Sequence, residues 1–458
     1  MRNEGSVRTT QARSPALHNR LAYGLGDAGF LIVWQSGALF ILYFYTVVLG
    51  LPGWLAGAIF LTAMVWDAVS DPLIAAWAER RAARTGRYSP IIAWAALPAG
   101  ASFALMFTDP FNGVFLSAGW ALLTHLAFRT AFTFASMPYN TLPLRLTRDT
   151  NARSALSAVR VAGAAIGGLG AAVAMPLLVE AGGYTLAAVV AGGVAALLLV
   201  TCSAGSGETR AVTPHPPDRP LAHDLAGLWT GVRGNPPVQR LLGVMAAGTI
   251  GYGFFTYAAV FYMQHVVVRP DLIPAALGLP ALTTIIGAPI WMVVAARTSK
   301  RLSMMAGITV AVTGYLLLWP AASGNIALLL AAVAIAGLGG AAIPVMLWSM
   351  MPDAIEHGEV ESGTRIEART FGLTTFVQKT SAGAVALAAG IVLSASGFSP
   401  DGDLATGAAW TITAMVSVFP AIFMVLIILV IRTYPIDRLR HAEIVTALER
   451  PESRPRKK

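Results

Sequence analysis

The sequence predicts an all-α membrane protein of twelve transmembrane helices arranged as two six-helix bundles. Three observations carry that prediction. Only 12 % of the 458 residues are charged and 56 % are hydrophobic, whereas a soluble domain carries about 25 % charged residues. Apolar runs near the roughly 20 residues needed to cross a bilayer recur along the whole chain. The one long polar interruption, over 204–237, falls near the middle.

Taken in order, the spans fall near 21–48, 54–78, 90–108, 113–142, 153–178 and 183–203, then 238–266, 272–296, 303–322, 325–350, 369–395 and 406–431. The organisation is a tail over 1–20, a first bundle over 21–203, a linker over 204–237, a second bundle over 238–431 and a tail over 432–458. Pro214, Pro216, Pro217 and Pro220 break any helix in the linker. Residues 1–20 are polar and basic without an apolar core, so no signal peptide is expected there.

Cations gather on one side of this layout. They are Arg2, Arg8, Arg13 and Arg20, then Arg80, Arg81, Arg84 and Arg87, then Arg145, Arg148 and Arg153, then Arg297, Lys300 and Arg301, and finally Arg454, Arg456, Lys457 and Lys458. The opposite loops offer Arg269. By the positive-inside rule the tails and linker are cytoplasmic, in a multi-pass protein of the plasma (inner) membrane. The net charge of +9 therefore reports topology and contact with membrane lipid; no nucleic-acid partner is expected. The single cysteine, Cys202, excludes a disulfide framework and a cysteine metal cluster. The chain has no G-x-x-x-x-G-K-[ST], H-E-x-x-H or G-x-S-x-G motif. It is therefore read as neither a nucleotide-driven motor nor an enzyme, with no cofactor.

Six ionisable residues remain deep in the spans: Asp27, Asp67, Asp71, Arg129, Arg160 and Lys379. Asp67 and Asp71 lie in Trp66-Asp67-Ala68-Val69-Ser70-Asp71-Pro72, one helical turn apart on one face. A charge at a helix centre costs about 2.5–3.5 kcal/mol on insertion scales. Two carboxylates so close repel, so the pair wants a proton or a bound cation. The bland alternative is neutralisation by Arg or Lys from a neighbouring helix, with no ion involved. Three acids and three bases could also be packing pairs. Yet they come from both halves and reach similar depth, which describes a pocket between two bundles. Around them stand Trp34 and Gln35, the one-faced set Thr133, Ser136 and Asn140 with Tyr139 beside it, and Thr374, Thr375 and Gln378 ahead of Lys379. Aromatic rings there suit stacking on a sugar, and equally suit anchoring at the membrane interface.

Several segments together resemble the glycoside–pentoside–hexuronide:cation symporters, the melibiose-permease-like branch of the major facilitator superfamily. They are Tyr23-Gly24-Leu25-Gly26-Asp27-Ala28-Gly29-Phe30, Phe44-Tyr45-Thr46-Val47-Val48-Leu49-Gly50, the Trp66–Pro72 element, Gly86-Arg87 and Met137-Pro138-Tyr139. His357-Gly358-Glu359, Gly363-Thr364-Arg365, Gln378-Lys379, Tyr434-Pro435 and His441-Ala442-Glu443-Ile444 complete the match. The resemblance implies the major facilitator fold and alternating access. It also implies cation-coupled symport of a glycoside, pentoside or hexuronide by a monomer; the alternative is a lipid or amphiphile carrier or exporter on the same fold. Asp67 and Asp71 become the cation-binding carboxylates, metal ligands if the ion is sodium, with Ser70 and Thr133 in the rest of that site. Lys379 lies beside them. Arg160, Thr374, Thr375 and Gln378 fall on the substrate side, joined by the candidates Asp27, Gln35, Arg129, Ser136, Tyr139 and Asn140.

Departures from the family pattern sharpen the reading. Two acids that grip the sugar in melibiose permeases are Leu31 and Ser136 here, an arginine ahead of the carboxylates is Met64, and an asparagine of the cation site is Ser70. Loss of that amide favours a proton over sodium. Arg129 is expected to replace the arginine missing at Met64 and to pair with Asp67. The other reading leaves Arg129 and Arg160 without carboxylate partners and ready for an anionic substrate such as a hexuronide.

Overall fold

The computed structural model describes residues 16–111, 113–147, 150–208, 232–362, 367–399 and 405–449, and every regular element among them is helical. Most of the linker (209–231), with its four prolines, lies outside the described residues, as do Arg2, Arg8, Arg13, Arg148, Gly363, Thr364, Arg365 and the basic cluster from Arg454 to Lys458.

In the first half the helices are α1 (Leu17–Tyr43, prolonged by a π-turn over Phe44–Val48), α2 (Gly53–Thr85), α3 (Ser89–Met106) and α4 (Val114–Leu146). A helical stretch Thr150–Gly205 follows; it breaks at Gly182 and Gly183, the latter at φ 80°, and is two antiparallel spans, α5 (150–181) and α6 (184–205). The second half holds α7 (Pro236–Phe261), α8 (Ile273–Arg297), α9 (Lys300–Ala321), α10 (Ile326–Gly340) continued by α11 (Ala342–Ser362), and α12 (Glu367–Ala395). It closes with α13 (Thr406–Val416), α14 (Val418–Ile431) and the short α15 (Arg438–Glu449).

Among the described residues ten helices are long and apolar enough to span a membrane. Division of the glycine-broken stretch gives the eleventh. The twelfth is α4, which is long enough but is diluted by His125, Arg129, Thr133, Ser136 and Asn140. Helix ends are built from the usual physics. Four N–H groups at each helix start lack intrahelical acceptors. At α3 the carboxylate of Glu208 accepts from the N–H groups of Tyr88 and Ser89 at 2.9–3.0 Å and from the Ser89 hydroxyl at 3.1 Å, which ties the end of α6 to the start of α3.

Within the bundles small residues let helices touch backbone to backbone, the main source of association where lipid removes the hydrophobic drive. A Cβ on Gly163 would sit 2.0 Å from the Gly24 carbonyl oxygen, and one on Gly167 would sit 2.3 Å from that of Ala28, so α1 and α5 cross in direct contact. Among the described residues the main contacts between the bundles are α1 with α7, α2 with α12 and α5 with α8. Their close points lie toward the end opposite the termini. There Gly53 and Gly57 of α2 press on Gly390 and Ala386 of α12, Gly278 of α8 meets Val173 of α5, and the Tyr43 hydroxyl lies 3.3 Å from His265 Nε2. Between these seams and the termini lies a cavity of about 800 Å³ walled by both bundles.

Candidate functional site

The cation-site candidates meet on one wall of this cavity. Helix α2 presents Asp67 and Asp71 one turn apart, and α4 brings Thr133 across to both. Its hydroxyl lies 3.0 Å from Asp67 Oδ1 and 2.9 Å from Asp71 Oδ1. One hydroxyl proton cannot serve both oxygens fully, so Thr133 bridges the pair rather than satisfying it. From the second bundle, α12 inserts Lys379. Its Nζ is 2.8 Å from Asp67 Oδ2, an ion pair without hydrogen-bond alignment, and it donates directly to Asp71 Oδ2. Asp67 is completely sealed from the cavity, while Asp71 and Lys379 line it. Two buried carboxylates thus share one ammonium, leaving one negative charge over. That is an arrangement with room for a proton or a monovalent cation and with a built-in competitor for it.

A second charged pair stands nearby. Arg160 Nε of α5 donates to Asp27 Oδ1 of α1 at 3.2 Å, and its guanidinium lies over the Tyr139 ring at 5.3 Å. Tyr139 is held by stacking on Tyr23 (4.7 Å) and by donating to the Tyr23 carbonyl at 2.9 Å. Arg160 therefore has a carboxylate partner, contrary to the reading that left it free.

Arg129 is also placed differently from expectation. It makes no ion pair with Asp67. Its guanidinium carbon lies 4.5 Å from the centre of the Trp34 ring, 5.7 Å from that of Phe128 and 5.8 Å from that of Phe60. The side chain is 5 % exposed, and neither Nε nor Nη1 has a hydrogen-bond partner. A desolvated cation over an aromatic face gains about 2 kcal/mol, less than the several kcal/mol that removing an ion from water costs. The aromatic box offsets only part of that cost. Asp67 is instead paired with Lys379 from the second bundle, at 2.8 Å.

Of the substrate-side candidates, Asp27, Gln35, Arg129, Ser136, Tyr139, Asn140, Arg160, Thr375 and Gln378 line the cavity. Thr374 does not; it is wholly buried and its hydroxyl donates to the Thr370 carbonyl of its own helix at 2.8 Å. The Ser70 hydroxyl likewise turns to the main chain, donating to the Asp67 carbonyl at 3.3 Å, and does not touch the carboxylates. Sequence reasoning missed the α7 wall: Thr249, Tyr252, Thr256 and Tyr257, together with Trp348 on α11. Thr249, Tyr252 and Thr256 repeat at three and four residues, a polar stripe on an apolar helix that was visible in the sequence but carries no charge to draw attention.

A two-bundle helical protein with a central charged cavity belongs to the class of membrane carriers, and comparison with known proteins agrees. Residues 22–438 match the family model described as MFS/sugar transport protein, and the chain belongs to that family of the major facilitator superfamily. It is a transporter rather than an enzyme. A relative from Escherichia coli (strain K12), provisionally named the glycoside/cation symporter YagG, is 27 % identical over 374 residues, covering 79 % of each chain. Another, from Salmonella typhimurium (strain LT2), provisionally named a 2,3-dihydroxypropane-1-sulfonate exporter, is 27 % identical over 442 residues, covering 94 % of this chain and 95 % of its own. Among solved structures, a bacterial homologue of the human lysosomal transporter Spinster, inward-facing and unoccupied, superposes with a TM-score of 0.65 at 16 % identity, over 91 % of this chain and 96 % of that one.

Proposed function

We propose that the protein is a secondary active symporter that couples a proton, in preference to sodium, to movement of a glycoside, pentoside or hexuronide across the inner membrane. The observation that carries this reading is the Asp67–Asp71–Lys379 cluster, which spans the joint between the bundles on the wall of an 800 Å³ cavity. A proton on the carboxylate pair cancels its surplus charge and weakens its hold on Lys379, so ion occupancy changes how strongly α2 grips α12. A proton needs no shell of oxygen ligands, and Ser70, the residue in place of an amide ligand, is turned to the main chain. With the termini cytoplasmic by the positive-inside rule, the seams close the outer side and the cavity belongs to an inward-facing form. The empty carrier is charge-balanced and can rock, whereas a carrier holding the proton alone drags an uncompensated charge through hydrocarbon.

The test is uptake into proteoliposomes of the purified protein across a panel of glycosides, with the pH gradient and the sodium gradient imposed separately. Accumulation driven by the pH gradient alone supports proton coupling, and dependence on sodium alone rejects it. Accumulation driven by neither removes the symport reading. The relative named as an exporter gives a second direction to examine, by reversing the imposed gradient in the same vesicles.

A further inference from the structure

We infer that Arg129 is the anion-recognition residue of the cavity and that the transported sugar carries an acid group, a carboxylate or a sulfonate. The inference rests on the symport reading and names its substrate class. It follows from the pairing of the cavity's charges. Lys379 is engaged by Asp67 and Asp71, and Arg160 by Asp27. Among the described residues, Arg129 lines the cavity with no carboxylate within the 4.0 Å of an ion pair. The rings over it are Trp34 of α1, Phe60 of α2 and Phe128 of its own helix, with His125 one turn away and Tyr45 and Tyr257 within electrostatic reach. Asp67 and Asp71 lie beyond, held by Lys379. The box positions the guanidinium without satisfying Nε or Nη1. A guanidinium held against rings at the cavity wall, with Nε and Nη1 buried and unbonded, is a charge that an entering carboxylate or sulfonate would satisfy.

Charge bookkeeping points the same way. In the empty cavity the single surplus charge of the carboxylate pair balances Arg129. Once a proton binds the pair, Arg129 is left as an uncompensated positive charge. A monoanionic sugar restores neutrality to the loaded carrier, and a neutral sugar does not. Proton and anion therefore move together without net charge.

Two measurements test this on the full-length protein. In the first, binding is read by displacement with matched pairs: methyl glucoside, galactoside and xyloside, the two uronic acids methyl glucuronide and methyl galacturonide, and the 6-sulfonate of methyl glucoside. Displacement needs no ion gradient, so it stands apart from the coupling mechanism. Wild type is expected to prefer an acid member over its neutral partner by roughly 100-fold, and Arg129→Gln is expected to erase that preference while keeping residual binding of both. Arg129→Lys, which keeps the charge but loses the fork, is expected to fall between them. Binding of the neutral members alone, binding of no acid member, or equal loss of neutral and acidic binding in both variants overturns the inference. In the second, uptake of the bound acid is followed under a pH gradient with the membrane potential clamped by valinomycin and potassium, and then under a potential alone. Uptake under the first and not the second is expected; potential-driven uptake overturns the neutral-loading step. Failure of all gradient-driven uptake with acid selectivity intact would instead count against the symport reading.

Discussion

Two charged clusters face the same cavity and differ in what they join. Asp27 and Arg160 both belong to the first bundle, where the backbone contact of α1 with α5 fixes their separation. Asp67 and Asp71 belong to the first bundle, but Lys379 belongs to the second. When the bundles move, the first pair travels as one body and the second is made or broken. Pairing inside a rigid unit shapes a surface; pairing across a moving joint can act as a switch. The same residue types at the same depth acquire different jobs from the topology around them.

The largest expected effect comes from the joint itself. Lys379→Ala leaves two buried carboxylates without a cation, and breaking a buried pair costs about 3–5 kcal/mol. Thermal unfolding in detergent should therefore show a clear loss of stability at neutral pH that acid partly restores, as protonation removes the stranded charge. Asp67→Asn with Asp71→Asn should reduce concentrative uptake in energised proteoliposomes by about 100-fold, the scale of losing an ion site worth two to three kcal/mol. A charge swap sharpens the comparison. Asp27→Arg with Arg160→Asp should recover binding relative to either single change, with a coupling of about 1–3 kcal/mol, whereas Asp71→Lys with Lys379→Asp should not recover uptake. Thr133→Val removes the hydroxyl shared by the two carboxylates and should lower the rate of gradient-driven uptake by about tenfold, the cost of one hydrogen bond to a charged group. The smallest effect is expected at Asp27→Asn. The amide keeps an acceptor for Arg160, and the Arg160 side chain is 39 % exposed, so solvent screens the loss. Affinity for the substrate should change by about threefold.

Much of the fold was legible because hydropathy and positive charge are local signals. Even α4, the least apolar span, announces itself by length and by its polar stripe. The cavity wall was legible in part where a helical register could be anchored. On α12, Thr375 and Lys379 are four residues apart and both line the cavity, but Thr374 is buried although Gln378, four residues after it, lines the cavity, so spacing alone does not separate them. What stayed hidden was tertiary. The family resemblance placed Lys379 beside Asp67 and Asp71, but nothing in the sequence told where Arg129 and Arg160 would find their partners. That Lys379 takes both carboxylates of α2 depends on how closely α12 approaches, which the glycines at 383 and 390 allow. Arg129 lies instead against Trp34.

The α2–α12 seam has a consequence for substitution. A Cβ on Gly390 would sit 2.0 Å from the carbonyl oxygen of Gly53, so main chain faces main chain with almost no side chain between. A methyl group added at Gly390 would press on the main chain of α2 itself, so Gly390→Ala is expected to push the two helices apart at the joint between the bundles.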